Sequence, residues 1–236
     1  MMDAALLFPV EPLRQFFDAG GPVVAILLAA SVVALAIVFV KLWHFRSLRI
    51  TDLRTAEEAL TRYRAGRRQS AIDHAETSPN PASHALARVL RGLERGLPED
   101  KVREEVVRYG NSTLQELRGG LRPLEVIGSL APLLGLLGTV LGMIKAFQAL
   151  ELAGSRVDPA VLSGGIWEAL LTTAVGLAVA IPVVALLNWL EVRIERLAYR
   201  MDDIVTRAFT VDLSGPESSE TQTDHEPQLH SDSARV

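Results

Sequence analysis

The chain contains no cysteine, so disulfides, thiolate metal sites and cysteine nucleophiles are excluded. Its five histidines (His44, His74, His84, His225 and His230) are scattered, with no ligand-like pairing, and are expected at surfaces or interfaces. No HExxH zinc motif, GxSxG elbow or paired-carboxylate site occurs in any apolar run, which leaves an intramembrane enzyme without support. The formal charge of −4 is small and indicates no nucleic-acid partner. No metal or other cofactor is expected. Charge is also missing locally. Between Ala160 and Leu190 the one charged residue is Glu168.

What is present is segregated. Hydrophobic residues make up 49% of the 236 and charged residues 22%, with mean hydropathy +0.23. Pro22 to Val40 is a run of 19 whose polar member is Ser31, and Val126 to Ile144 is an uncharged run of 19. Ala169 to Leu190 adds 22, extending back to Ala160 if Glu168 is tolerated. A helix needs about 20 apolar residues to cross a bilayer core. The expected fold is therefore an all-α membrane protein with three transmembrane helices, whose outer faces meet membrane lipids. The first run is not read as a cleaved leader, because Asp3 and Glu11 precede it and Lys41-Leu-Trp-His-Phe-Arg46 closes it.

Lysine and arginine set the orientation. Arg14 alone precedes the first run, whereas Lys41, Arg46, Arg49 and Arg54 follow it. Arg108, Arg118 and Arg122 precede the second; Arg193, Arg196, Arg200 and Arg207 follow the third. The N-terminus is expected outside and the C-terminus inside. The expected layout is a periplasmic segment at 1–21, spans at 22–43, 126–148 and 160–190, and a cytoplasmic helical domain at 44–125. A periplasmic loop at 149–159, a cytoplasmic helix at 191–212 and a disordered tail at 213–236 complete it.

The 44–125 segment carries 15 Lys/Arg and 12 Asp/Glu in a helical pattern. Thr55-Ala-Glu-Glu58 resembles a capping box. Leu86, Val89, Leu90 and Leu93 mark a helical stripe that Gly96 closes, and Pro98 precedes the next helix. Gly119-Gly120 and Pro123 predict a bend at the membrane surface. Beyond Trp189 the apolar face of Leu190, Ile194, Leu197, Met201, Ile204 and Val205 continues the third span, to pack either within the chain or between subunits.

Within the second span Gly128, Ala131, Gly135, Gly138 and Gly142 recur at spacings of 3, 4, 3 and 4, on one helix face. Gly165, Ala169, Thr173, Gly176 and Ala180 make a matching stripe in the third. Small residues allow the close backbone approach that drives helix association in lipid, so the stripes are expected to dock the spans as a hairpin. Counting helical rise inward puts Thr139 about 13 Å and Glu168 about 12 Å below the outer surface, with Thr172 and Thr173 about 6–8 Å deeper. Thr172 falls near the Glu168 face, and Thr173 is turned away from it. Each threonine is either helix glue or a proton-passing hydroxyl, and Glu168 is either an interfacial carboxylate or a functional one. With Lys145, just past the second apolar run, counted with the connection, no second titratable group lies within the apolar runs of the spans. A continuous proton path then needs a partner.

Ala131-Pro-Leu-Leu-Gly-Leu-Leu-Gly-Thr-Val-Leu-Gly142 resembles the second-span signature of the ExbB/TolQ/MotA proton-channel family. Gly165-Ile-Trp-Glu-Ala-Leu-Leu-Thr-Thr-Ala-Val-Gly-Leu177, with Ala180-Ile-Pro182 after it, is similar to the third-span signature. Three spans, Gly21-Pro-Val-Val and the Lys-Leu-Trp end of the first span resemble ExbB most. The resemblance implies a homopentameric ring around the membrane helix of an ExbD-like single-span partner carrying a membrane aspartate. It further implies proton flow harnessed through a TonB-like transducer to drive outer-membrane transport. By the family motif Thr139 and Thr173 line the pore, Glu168 assists proton passage or assembly, and Thr172 stands second to Thr173. Pro132 and Pro182 are motif positions that shape the helices. The alternatives are a TolQ-like subunit of the Tol-Pal system and a non-conducting membrane scaffold.

Overall fold

A computed structural model describes residues 10–153 and 159–210, leaving aside the side chains of 10–20, 153 and 161. The expected disordered tail at 213–236 lies outside the described residues, as do residues 154–158 of the expected 149–159 loop, while 149–153 continue α6 as helix. The described chain is helical, in the order α1 (Val10–Ser47), α2 (Arg54–Arg64), α3 (Arg68–Glu76), α4 (Pro81–Glu94), α5 (Glu99–Arg118), α6 (Arg122–Ala153) and α7 (Pro159–Phe209). Three stretches are long and apolar enough to cross a membrane: Gly21–Ser47 in α1, the Glu99–Leu152 stretch that contains α6, and Leu162–Phe209 in α7.

Each break has a local cause. Gly21 takes φ 60° and ψ −164°, a region open to glycine, and bends α1 just before Pro22. Gly120, at φ 78°, separates α5 from α6 at the bend expected for Gly119-Gly120. α4 ends at Glu94, two residues before Gly96.

The Thr55–Glu58 capping box is not formed. α2 starts one residue earlier, at Arg54, and Leu53 at its N-cap makes no side-chain bond. Asp52 supplies the acceptor instead, taking the Arg54 amide at 3.1 Å. Glu58, freed from capping, accepts from Arg54 and pairs with His74, each at 3.0 Å.

The helices outside the spans pack around the far end of α7. Leu86, Val89 and Leu90 of α4 are fully buried, together with Leu190, Ile194 and Leu197 of α7. Met201 and Ile204 are buried in the same core. The long apolar stripe of α7 is thus covered within the chain, by α4 and α5, which decides between the two packings its sequence allowed. Asn80 ties this domain to the turn that follows α1. Its Oδ1 accepts from the Ala82 amide at 2.8 Å as the α4 N-cap, while Nδ2 donates to the Arg49 and Asp52 carbonyls at 2.7 and 2.8 Å.

Candidate functional site

α6 and α7 meet along the small-residue stripes. A methyl at Gly128 would come within 2.8 Å of Val184 Cγ2, and one at Gly142 within 3.1 Å of Ala169 Cβ. At Gly135 it would meet the Thr172 carbonyl oxygen at 3.0 Å, and at Gly176 the Ala131 carbonyl oxygen at 2.7 Å. At Gly138 and Gly165 it would overlap Thr172 and Ala146 outright. Backbone therefore lies against backbone, with Ala131, Ala169 and Ala180 buried in the same contact. Pro132 and Pro182 lie inside α6 and α7, and both helices continue through them. Each proline removes one helix-bonding amide, at the turn whose carbonyl belongs to Gly128 or Ala178.

The three threonines occupy different settings. Thr172 is 2% exposed, and its hydroxyl donates to the Ala169 carbonyl at 2.7 Å and the Gly135 carbonyl at 3.3 Å. Half-buried Thr173 donates across to the same Gly135 carbonyl at 3.1 Å. Thr139 lies one turn beyond Gly135 at the rim of the contact, and its hydroxyl bonds back to Leu136 at 2.6 Å. Back-bonding of this kind satisfies the donor and leaves the oxygen's lone pairs available.

Glu168 sits elsewhere. Its Oε1 is 3.8 Å from Lys145 Nζ, with side chains 32% and 64% exposed respectively. A methyl built on Gly21 would be 3.4 Å from the same oxygen, so the bend in α1 rests against this carboxylate. The expectation that the spans hold no second titratable group is thereby corrected. α6 runs unbroken to Ala153, which keeps Lys145 on the helix rather than in the connection. The stripes carried a signal for this. Gly142 meets Ala169 and Ala146 meets Gly165, an antiparallel register that places Lys145 within a turn of Glu168.

Glu168 and Thr173 are five residues apart, about 140° around α7 at 3.6 residues per turn. Lys145 and Thr139 are six apart, about 120° around α6. The charged pair therefore occupies one flank of the α6–α7 contact, beside α1, and Thr139 and Thr173 occupy the other. Buried Thr172 sits between the flanks. The site can hold a compensated carboxylate at one end and offer two hydroxyls along a separate surface. Among the described residues no group of three His, Asp or Glu side chains is placed to hold a metal.

The MotA/TolQ/ExbB proton channel family matches residues 77–203 of the chain. The chain is 49% identical over 76 residues to the biopolymer transport protein exbB1 of Vibrio cholerae, covering 30% of this chain and 33% of that one. It is 32% identical over 145 residues to the biopolymer transport protein ExbB of Xanthomonas campestris, covering 61% and 53%. An ExbB-like biopolymer transport protein of Synechocystis is 33% identical over 174 residues, covering 70% and 65%. The chain thus spans between a third and two thirds of the length of these curated relatives. Three apolar helices, a small-residue contact between the last two, and a family match running from before α4 to the end region of α7 agree: the chain is ExbB-like and belongs to the MotA/TolQ/ExbB proton channel family.

Proposed function

We propose that the chain is the wall-forming subunit of a proton-driven motor in the bacterial inner membrane, and that it energises TonB-dependent transport across the outer membrane. The observation that carries this reading is the division of the α6–α7 contact into two flanks, with Thr139 and Thr173 on the one away from α1. In the proposed assembly, a homopentamer, that flank faces the lumen, where an ExbD-like single-span partner presents its membrane aspartate. Thr139 and Thr173 solvate that carboxylate and pass its proton, Glu168 receives protons at the outer mouth, and buried Thr172 holds the wall together.

The surface of the spans supports assembly. Only 28%, 28% and 22% of the most apolar windows in the three spans is buried within the chain. Leu133, Leu136, Leu137, Val140 and Leu141 of α6 are all exposed, surface that lipid or neighbouring subunits must cover. Energy is sufficient, since each proton crossing releases about 2.3 kcal/mol per 100 mV. The relatives carry the name ExbB, matching the resemblance read from the first span, and a TonB-like transducer is accordingly the proposed output partner.

The test is functional. Complexes carrying Glu168→Gln or Thr139→Val are expected to assemble at normal size yet lose proton flux into vesicles and energy-dependent uptake in cells. Wild-type uptake in both variants would leave a passive scaffold as the better reading.

A further inference from the structure

The pathway just described leaves Lys145 without a role. Three helices converge on its partner. α6 brings the ammonium to 3.8 Å, and α7 presents the carboxylate. α1 places the Gly21 bend against the same oxygen, where an added methyl would lie at 3.4 Å. The arrangement is held in register from both sides. Ala169, next to Glu168, is seated against Gly142, three residues before Lys145. Gly21, at φ 60° and ψ −164°, holds a backbone conformation that residues with side chains rarely adopt.

A carboxylate near membrane depth is costly unless compensated, and a cation within ion-pair reach both compensates and positions it. Here the compensation lies on the α1 flank, about 140° around α7 from Thr173. A charge held there is held away from the hydroxyls.

We propose that Lys145 is a counter-ion latch: it keeps the Glu168 carboxylate on the α1 flank, against Gly21, and proton passage requires this pair to open. Lys145 acts through Glu168 as a positioning residue and does not itself carry the transferred proton. The proposal rests on the proton-pathway reading above. Its consequence is a restraint on idle proton flow, since a closed pair withholds the carboxylate from the lumen.

The experiment uses the full-length chain purified with the single-span partner encoded in the same genome, reconstituted into vesicles loaded with a pH-sensitive dye. Lys145→Gln is expected to raise basal proton entry about threefold or more, the size of a typical coupling between contacting residues. Lys145→Arg, which keeps the cation, restores the restraint. In a Glu168→Gln background Lys145→Gln adds nothing. The latch is overturned if Lys145→Gln leaks no faster than wild type, or if its extra leak persists undiminished when Glu168 is Gln. Thermal unfolding of wild type, Lys145→Gln, Glu168→Gln and the double variant in detergent reads the pair independently of flux. Melting shifts that fail to add support the contact, and strictly additive shifts overturn it. Wild-type flux in Glu168→Gln alone is a separate failure: it removes the proton pathway, while non-additive melting would still register the pair.

Discussion

Gly138 is bare where α7 seats Thr172 against it, and the Thr172 side chain fills the space that a methyl on Gly138 would need. The buried hydroxyl then reaches the Gly135 carbonyl one turn away, at 3.3 Å. Gly138→Ala is expected to lower stability by about 1–3 kcal/mol, the usual cost of overpacking a tight contact. The swap Gly138→Ala with Thr172→Gly should recover part of that loss. Thermal melts of the purified protein in detergent check both; an unchanged melting temperature in Gly138→Ala would show that α6 and α7 are not this close.

The two adjacent threonines should separate cleanly. Thr172→Val removes a buried hydrogen bond and is expected to cost about 1 kcal/mol of stability. Thr173→Val, half-buried and losing its own bond to the Gly135 carbonyl, should cost less stability than Thr172→Val and slow proton flux about tenfold, equivalent to about 1.4 kcal/mol on the barrier. Equal melts for the two variants would contradict the placement of Thr172 inside the contact.

Asn80 is fully buried, and all three of its side-chain bonds go to backbone. Asn80→Ala loses the α4 cap, worth about 1 kcal/mol. It also removes the two part-buried bonds to the Arg49 and Asp52 carbonyls, of which Arg49 keeps the Asp52 amide at 2.9 Å, at about 1–3 kcal/mol together. A total loss of about 2–4 kcal/mol is expected by denaturant or thermal unfolding. Amide exchange should show the loss concentrated between the end of α1 and the start of α4.

Burial holds His84 below its ordinary value of 6.5, and the nearby Arg88 adds to the depression. A base with a lowered folded value is charged more readily in the unfolded chain, so the unfolded state binds more protons as pH drops. Stability is therefore expected to fall as pH decreases through 6.5 and to level off below the folded value. His84→Gln should flatten this stretch of the curve, read by thermal unfolding between pH 7.5 and 5. Glu58, held low by the hydrogen bond to His74 and then the one to Arg54, acts in a separate window below its ordinary 4.5. There stability is lost as pH falls through its folded value.

Features with local causes were readable along the chain. The three apolar runs, the break at Gly119-Gly120 and the end of α4 near Gly96 follow from composition and backbone preference at those positions. Contacts set by distant residues were not. The capping box failed because Asp52 took the first amide of α2, and nothing in Thr55-Ala-Glu-Glu58 shows that His74 would claim Glu58. Spacing brought Thr172 near the Glu168 face, yet its burial depends on Gly138 of another helix. Lys145 was missed for a simpler reason. The apolar run stops at Ile144, whereas the helix runs on to Ala153, and hydropathy marks where lipid-like sequence ends rather than where hydrogen bonding does.

α7 continues for 51 residues from Pro159 to Phe209 without a break, about 76 Å at 1.5 Å per residue. Its first turns carry Glu168 and its last are clamped by α4 and α5. A rod of that length behaves as a lever: leaning it by about 5° at one end sweeps the other through about 7 Å. An event at a single acidic group near one end could thus reach the opposite side of the bilayer as a displacement larger than a helical turn, with no loop between them and Pro182 marking the turn where the rod is weakened.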